Sequence, residues 1–141
     1  MNQLAPNDFL KILTEKFPFD LTLKQAIALE KMAHFVLDRK RDGIFVLKGF
    51  AGTGKTTIIS TLVPSLWKAN MSAVLMAPTG RAAKVMTSYS GNQAFTIHKK
   101  IYFPKKQSSG GVQFVLAPNK HRNTIFIMEA SSTMKMVFLC L

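Results

Sequence analysis

The stretch Gly49–Thr57, written GFAGTGKTT, constrains this chain more than any other. A glycine, four residues and then Gly-Lys-Thr is the spacing of a loop that wraps a phosphate chain: Gly49, Phe50, Ala51, Gly52, Thr53, Gly54, Lys55, Thr56, with Thr57 next. The residue types follow from the chemistry. Successive backbone N–H groups grip the phosphates, and Gly52 and Gly54 let the backbone approach without a side chain in the way. Lys55 supplies a point charge for the β- and γ-phosphates of ATP. Thr56 supplies a hydroxyl for Mg²⁺, a hard cation that takes oxygen ligands and keeps most of its water. The flanks agree. Gly43–Leu47 (GIFVL) reads as a short buried strand, and Thr57–Leu66 as a helix whose N-terminus faces the phosphates. A Gly/Thr-rich turn matching by accident has no reason to sit between such a strand and such a helix.

Composition narrows the partners. The chain has 141 residues, one domain's worth, and 48% are apolar, which excludes a disordered or fibrous chain. Nineteen Lys and Arg against seven Asp and Glu give a net charge of +12, which favours a polyanionic partner, nucleic acid first and acidic membrane second. One cysteine, Cys140, excludes an intrachain disulfide and fits a reducing cytoplasm. The N-terminus lacks the layout of a signal peptide, and no apolar run approaches a membrane span.

Along the chain, Pro6–Lys16 reads as a helix capped by Asn7 or Asp8, and Phe17–Asp20 breaks it. Thr22–Arg39 is a longer helix, with Thr22 and Gln25 at the spacing of a capping box. Arg39–Asp42 is a charged turn. After the loop and its helix, Ser72–Ala77 is a second strand, Pro78-Thr79-Gly80 a turn, and Arg81–Met86 helical. Thr96–Tyr102 starts a short helix that Pro104 ends, Lys105–Gly111 is linker-like, and Val112–Ala117 is a strand. Thr124–Met128 is a third central strand. Strands alternating with helices around a phosphate loop predict an α/β fold, a parallel sheet covered by helices on both faces.

Several stretches, in order, now carry a resemblance: LTLKQ (Leu21–Gln25), the phosphate loop, APTGRAAKVM (Ala77–Met86), TIH (Thr96–His98) and, imperfectly, IFIMEAS (Ile125–Ser131). The chain resembles the N-terminal motor region of superfamily 1 DNA helicases of the RecD-like/Dda-like kind, relatives of the exonuclease V alpha subunit. The phosphate loop says only NTPase, whereas APTGRAAK followed by TIH is far more specific. The resemblance implies a RecA-like P-loop NTPase domain, the first half of a two-domain motor that translocates 5′ to 3′ on single-stranded DNA with ATP and Mg²⁺, in DNA repair and recombination. It implies that Gln25 reads the adenine edge, a role that competes with its place in the capping box. It also implies that Pro78, Thr79, Gly80, Arg81 and Lys84, with His98, contact single-stranded DNA. Arg81 and Lys84 otherwise read as the charged face of a capped surface helix, and His98 as a packing residue. Lys99, Lys100, Lys105, Lys106, Lys120 and Arg122 extend a basic track, with Tyr102 and Phe103 as stacking surfaces, or else form a solvated loop.

One motif departs from the pattern. Such motors end their third strand in Asp-Glu, the Asp for the metal shell and the Glu for the attacking water. Here the strand ends Met128-Glu129-Ala130-Ser131, so Glu129 takes the place of the catalytic carboxylate beside Lys55 and the Asp is missing. Past Ser131 the likeness fades into an apolar tail, TMKMVFLCL. Met134–Val137 is encoded ATG-AAR-ATG-GTN; two nucleotides on, the same string reads GAA-RAT-GGT, an acidic turn. The expectation is therefore a motor fragment truncated by a small deletion and a frameshift, the alternative being a genuine short protein with a hydrophobic C-terminus, with residues 1–20 an N-terminal helical segment, 21–131 an incomplete NTPase domain and 132–141 a divergent tail. Two other classes are weighed. A nucleotide or small-molecule kinase shares the loop but not APTGRAAK, and no lid or acceptor site is found. A non-catalytic basic nucleic-acid-binding module would carry the loop as a vestige.

Overall fold

The computed structural model describes residues 3–38, 43–50, 52–118, 120–131 and 135–140. The charged turn at 39–42 and Ala51 lie outside them. Helix α1 spans Pro6–Lys16 and α2 Leu23–Leu37, followed by strand β1, Gly43–Lys48. The phosphate loop leads into α3, Lys55–Leu62, which tightens into a 3₁₀ segment, Val63–Ala69. Pro64 explains the change from the single helix expected, since it has no N–H to continue the α-ladder. Then come β2 (Ser72–Ala77), α4 (Gly80–Ser90), β3 (Ala94–Thr96), α5 (Ile97–Ile101), β4 (Tyr102–Lys106), β5 (Val112–Leu116), β6 (Thr124–Ser131) and β7 (Lys135–Cys140).

Five strands form the central sheet in the order β1-β7-β6-β2-β3. Strand β2 runs parallel to both β3 and β6, while β7 is antiparallel to both β6 and β1. It follows that β1, β6, β2 and β3 all point the same way, with β7 alone reversed. Lys135–Cys140 of the apolar tail thus lies inside the sheet, with Val137 opposite Val46 on one side and Met128 on the other. This is the RecA-like α/β architecture expected, a parallel sheet flanked by helices.

Alternation along the strands decides where the core sits. Leu47, Leu75, Ala77, Ile125 and Ile127 are buried in one cluster with Phe9 and Leu13 of α1, Leu29, Met32 and Val36 of α2, Ile59 and Leu62 of α3, and Met86 of α4. Register agrees, because Ala73 faces Ile125 and Leu75 faces Ile127. The alternate residues of β1 point the other way, where Ile44 is 67% and Val46 44% exposed. Cover on both faces, expected from the alternation of strands and helices, is therefore incomplete: among the described residues α2 packs on the core face of β1 and nothing comparable shields Ile44 and Val46.

Two further expectations are corrected. Helix α1 is capped by Ala5, without a side-chain hydrogen bond, because Pro6 already fixes the first helical position ahead of Asn7 and Asp8. The linker-like stretch at 105–111 is the end of a strand and a turn. Strands β4 and β5 form a separate antiparallel hairpin, Tyr102 facing Leu116 and Lys106 facing Val112. The turn is closed by Gln107 N–H to Gly111 C=O at 2.8 Å and Gly110 N–H to Gln107 C=O at 3.1 Å.

The one-sided core makes a prediction for equilibrium urea unfolding. Ile127→Ala, at a fully buried site, lowers stability by about 2–5 kcal/mol. Ile44→Ala, on the open face of β1, changes it by no more than about 0.5 kcal/mol.

Candidate nucleotide-binding site

The phosphate loop leaves β1 at Lys48 and enters α3 at Lys55. Gly52 and Gly54 take φ of +80° and +91°, in the left-handed region where glycine carries no steric penalty. Two close approaches explain why the ends of the loop are glycines. A Cβ on Gly49 would sit 2.6 Å from Thr53 Oγ1, and one on Gly54 would run into the Gln25 side-chain nitrogen. Thr53 ties the loop to itself, donating from Oγ1 to the Phe50 carbonyl at 2.7 Å and from its N–H to the same oxygen at 3.3 Å. The Lys55 ammonium donates to the carbonyls of Gly49 and, at 2.8 Å, Phe50. It therefore lies across the mouth of the loop, where phosphate oxygens would replace those carbonyls as stronger, charged acceptors. The Thr56 side chain is exposed and has no hydrogen-bond partner among the described residues, which suits a metal-ligand hydroxyl. Thr57 takes a structural part, its carbonyl accepting from Ser60 and Thr61. Ala51 lies outside the described residues. The loop's residues fit a nucleoside triphosphate and Mg²⁺.

Gln25 reaches this loop from α2. The capping box is present in full: Thr22 Oγ1 accepts the Gln25 N–H at 3.3 Å and Gln25 Oε1 accepts the Thr22 N–H at 3.0 Å. The same side chain donates from Nε2 to the Thr53 carbonyl at 3.2 Å. The capping and loop-facing roles thus coexist in one rotamer, and the bond to Thr53 is a feature that sequence spacing did not reveal.

Glu129 lies late in β6, half-buried, opposite Met136 of β7, with an irregularity in register between Glu129 and Ser131. Its carboxylate has no ion-pair or hydrogen-bond partner among the described residues. Burial lifts its pKa above the ordinary carboxylate range. Tyr89 of α4 is pushed up to about 12, by burial first and by the charge of Glu129 second. Among the described residues no three His, Cys, Asp or Glu side chains gather as a ready-made metal site.

The turn at Pro78–Gly80 opens α4. Thr79 caps that helix, its Oγ1 accepting the Ala82 N–H at 3.1 Å. Pro78, Thr79, Gly80, Arg81 and Lys84 are all exposed. Gly80 and Lys84 line a cleft with Ala83 and Thr87 of α4, Gln93–Thr96 and Lys99. Thr96, which caps α5 by accepting the Lys99 N–H at 3.2 Å, and Lys99 itself bring hydroxyl and ammonium groups to the far wall. The sequence places Lys99 only in an extended basic track and Thr96 only within the TIH stretch, and the cleft joins the two. His98 is outside the cleft lining. It packs on the hairpin, 4.9 Å from the Tyr102 ring and 5.5 Å from that of Phe114. Because β1, β2, β3 and β6 are parallel, the phosphate loop, the Pro78–Gly80 turn, α5 and the Glu129 end of β6 all lie toward the carboxyl end of the sheet, where α/β sheets bind ligands.

A strand, a loop with two left-handed glycines, a lysine across that loop and a helix opening at the lysine define a P-loop nucleotide-binding domain. Residues 34–139 match the AAA domain family, and the chain belongs to that family. The matched span begins within α2 and ends within β7, so it includes the strand that the apolar tail forms. Over 80 residues the chain is 32% identical to the ATP-dependent DNA helicase dda of Enterobacteria phage T4, a stretch that is 56% of this chain and 18% of that protein. The chain thus covers less than a fifth of that relative's length. No solved structure matches it significantly.

Glu129 gives a prediction with a definite sign. Its raised pKa means that the folded protein favours the protonated carboxyl, so ionisation at neutral pH opposes folding. Stability from this group grows as pH falls through the raised value toward that of the unfolded chain. Glu129→Gln should therefore melt above the wild type at neutral pH, and the margin should narrow as pH drops through the carboxylate range. Thermal melts across that range check it; a margin that widens on acidification contradicts the burial of this carboxyl.

Proposed function

We propose that this chain is the ATP-binding part of a superfamily 1 DNA helicase motor, RecD-like or Dda-like, that acts on single-stranded DNA with Mg²⁺. The observation that supports it best is the common edge: the phosphate loop, the Pro78–Lys84 turn and the TIH helix all open at the carboxyl end of one parallel sheet. An ATP-dependent motor needs its nucleotide and its strand in contact with the same rigid element, so that a change at one is felt at the other. In this reading Lys55 and the N–H groups of residues 49–57 hold the phosphates, Thr56 joins the Mg²⁺ shell, Gln25 reads adenine, and Glu129 is the single acidic group for hydrolysis. The strand lies over the helix start at Thr79–Arg81 and in the cleft between Lys84 and Lys99. His98 acts through the hairpin rings that it packs against.

Residues 21–131 carry these groups. With Met128 where an Asp is expected, nucleotide binding outlasts turnover. The missing Asp is also what favours the second reading, a basic nucleic-acid-binding module with a vestigial phosphate loop. No helix among the described residues is long and apolar enough to cross a membrane, and the charge of +12 is read as meeting a nucleic-acid backbone.

Two measurements test the reading. Lys55→Ala should weaken Mg-ATP binding by at least about tenfold, since it deletes a charge-assisted contact with the phosphates; superimposable titrations would remove the nucleotide assignment. For DNA, fluorescence anisotropy with a short oligothymidine compares Arg81→Ala and Lys84→Ala with Lys11→Ala at one salt concentration. Lys11 is an exposed residue of α1, remote in sequence from every motif above. Counterion release alone predicts nearly equal losses for equal charge. The strand track predicts larger losses at Arg81 and Lys84, and equal losses would leave only the generic basic module.

A further inference from the structure

The Gln25 amide is bound at both ends by backbone, which bears on nucleotide choice. Its oxygen accepts from the Thr22 N–H at 3.0 Å and its nitrogen donates to the Thr53 C=O at 3.2 Å. These two bonds define which end is oxygen and which is nitrogen. A flipped amide would set N–H against N–H and oxygen against oxygen. A primary amide has two acceptor lone pairs and two donors, so one lone pair and one N–H remain after these bonds. Adenine offers a donor, its N6 amino group, beside an acceptor ring nitrogen, and a side-chain amide meets that pair with two hydrogen bonds. Guanine presents O6 and N7, both acceptors, or O6 beside a donor N1–H, the reverse order. An amide free to flip would accommodate the reverse order equally well. A fixed one would not.

We propose that the backbone N–H of Thr22, together with the carbonyl of Thr53, positions the Gln25 amide in one orientation and so sets a preference for adenine over guanine nucleotides. Thr22 is then a positioning residue that acts through Gln25. The inference rests on the reading of Gln25 as the base contact, and it adds that the capping box stays closed when the base is bound. Gly54 supports it from the third side: the space where its Cβ would stand is taken by the amide nitrogen, leaving Gln25 no slack toward the loop.

Two substitutions at one position separate orientation from helix capping. Thr22→Ala removes the Oγ1 cap and keeps the backbone N–H. Thr22→Pro removes both, at a φ of −69° that proline adopts without strain. Ribose-labelled fluorescent ATP and GTP are titrated into the wild-type chain, both variants and Lys55→Ala. Thr22→Ala should leave the ATP-to-GTP affinity ratio unchanged, whereas Thr22→Pro should lower it about tenfold, the worth of one bidentate base contact. An unchanged ratio in Thr22→Pro, or the same drop in both variants, overturns the inference. It leaves the nucleotide assignment standing if Lys55→Ala still abolishes binding. Absence of saturable binding by the wild type overturns both. Amide exchange followed by NMR in the wild-type chain provides a test independent of how Thr22→Pro folds. With ATP added, exchange at the Thr22 N–H should slow or hold steady; acceleration would mean that the box opens to release the amide, and the inference fails.

Discussion

The bond between Gln25 and the Thr53 carbonyl joins the two halves of this molecule's local architecture. On one side is α2, started by the Thr22 cap and anchored in the core through Leu29, Met32 and Val36. On the other is a loop whose path depends on Gly52 and Gly54 at positive φ. A helix N-terminus is a fixed object once its cap is satisfied, and a glycine-rich loop by itself is not. Tying one to the other places the loop's backbone against the sheet without a bulky side chain. The Lys55 ammonium bridging Gly49 and Phe50 adds a second tie, made of groups that a phosphate would take over.

The sheet sets the distance across which that chemistry must work. Strands β1 and β6 are parallel but not neighbours, because β7 runs between them. Two strand spacings separate them by about 9–10 Å, enough for a phosphate chain and its metal to lie between the loop after β1 and the end of β6. Were β7 absent, direct pairing of β1 with β6 would halve that gap. The strand therefore contributes to the site by spacing.

How far these features can be read from residues alone depends on what holds each one. The phosphate loop, β2 and the helix starts at Thr22 and Thr79 are local, so Gly, Lys and Thr at short spacings announce them. Gln25 is half legible: the box is local, the bond to Thr53 spans 28 positions. Strand β7 hides because its sequence, KMVFLC, lacks the alternation by which a half-buried strand is read. The hairpin is half legible, since Val112–Ala117 reads as a strand while its partner and their pairing do not. Its residues are largely exposed, Phe114 at 57% and Val112 at 61%, and its register comes from the turn at 107–111 and not from burial. The cleft opposite Lys84 needed α4, β3 and α5 to meet, so Thr96 showed only as part of a short motif and Lys99 only as one of several basic residues.

The same reversed strand explains why one carboxylate cannot stand in for two. In a parallel sheet an acidic pair at a strand's end has a free loop after it, and both groups can turn toward the nucleotide. Here β6 remains paired with β7 as far as Ser131, and Glu129 is held in the ladder opposite Met136. Adjacent residues of a strand face opposite sides, so Met128 and Glu129 point apart, and Met128 is flanked in register by Met76 and Val137. The register irregularity after Glu129 can re-aim one side chain, as bulges do, but it cannot bring a second acid to the same face. Holding the metal's water shell and polarising an attacking water require charge at two different points. The backbone groups proposed to grip phosphate, by contrast, belong to the loop at 49–57, apart from Met128. In the proposed reading binding and hydrolysis are thus separable, and the strand that completes the sheet would confine Glu129 to one of the two tasks.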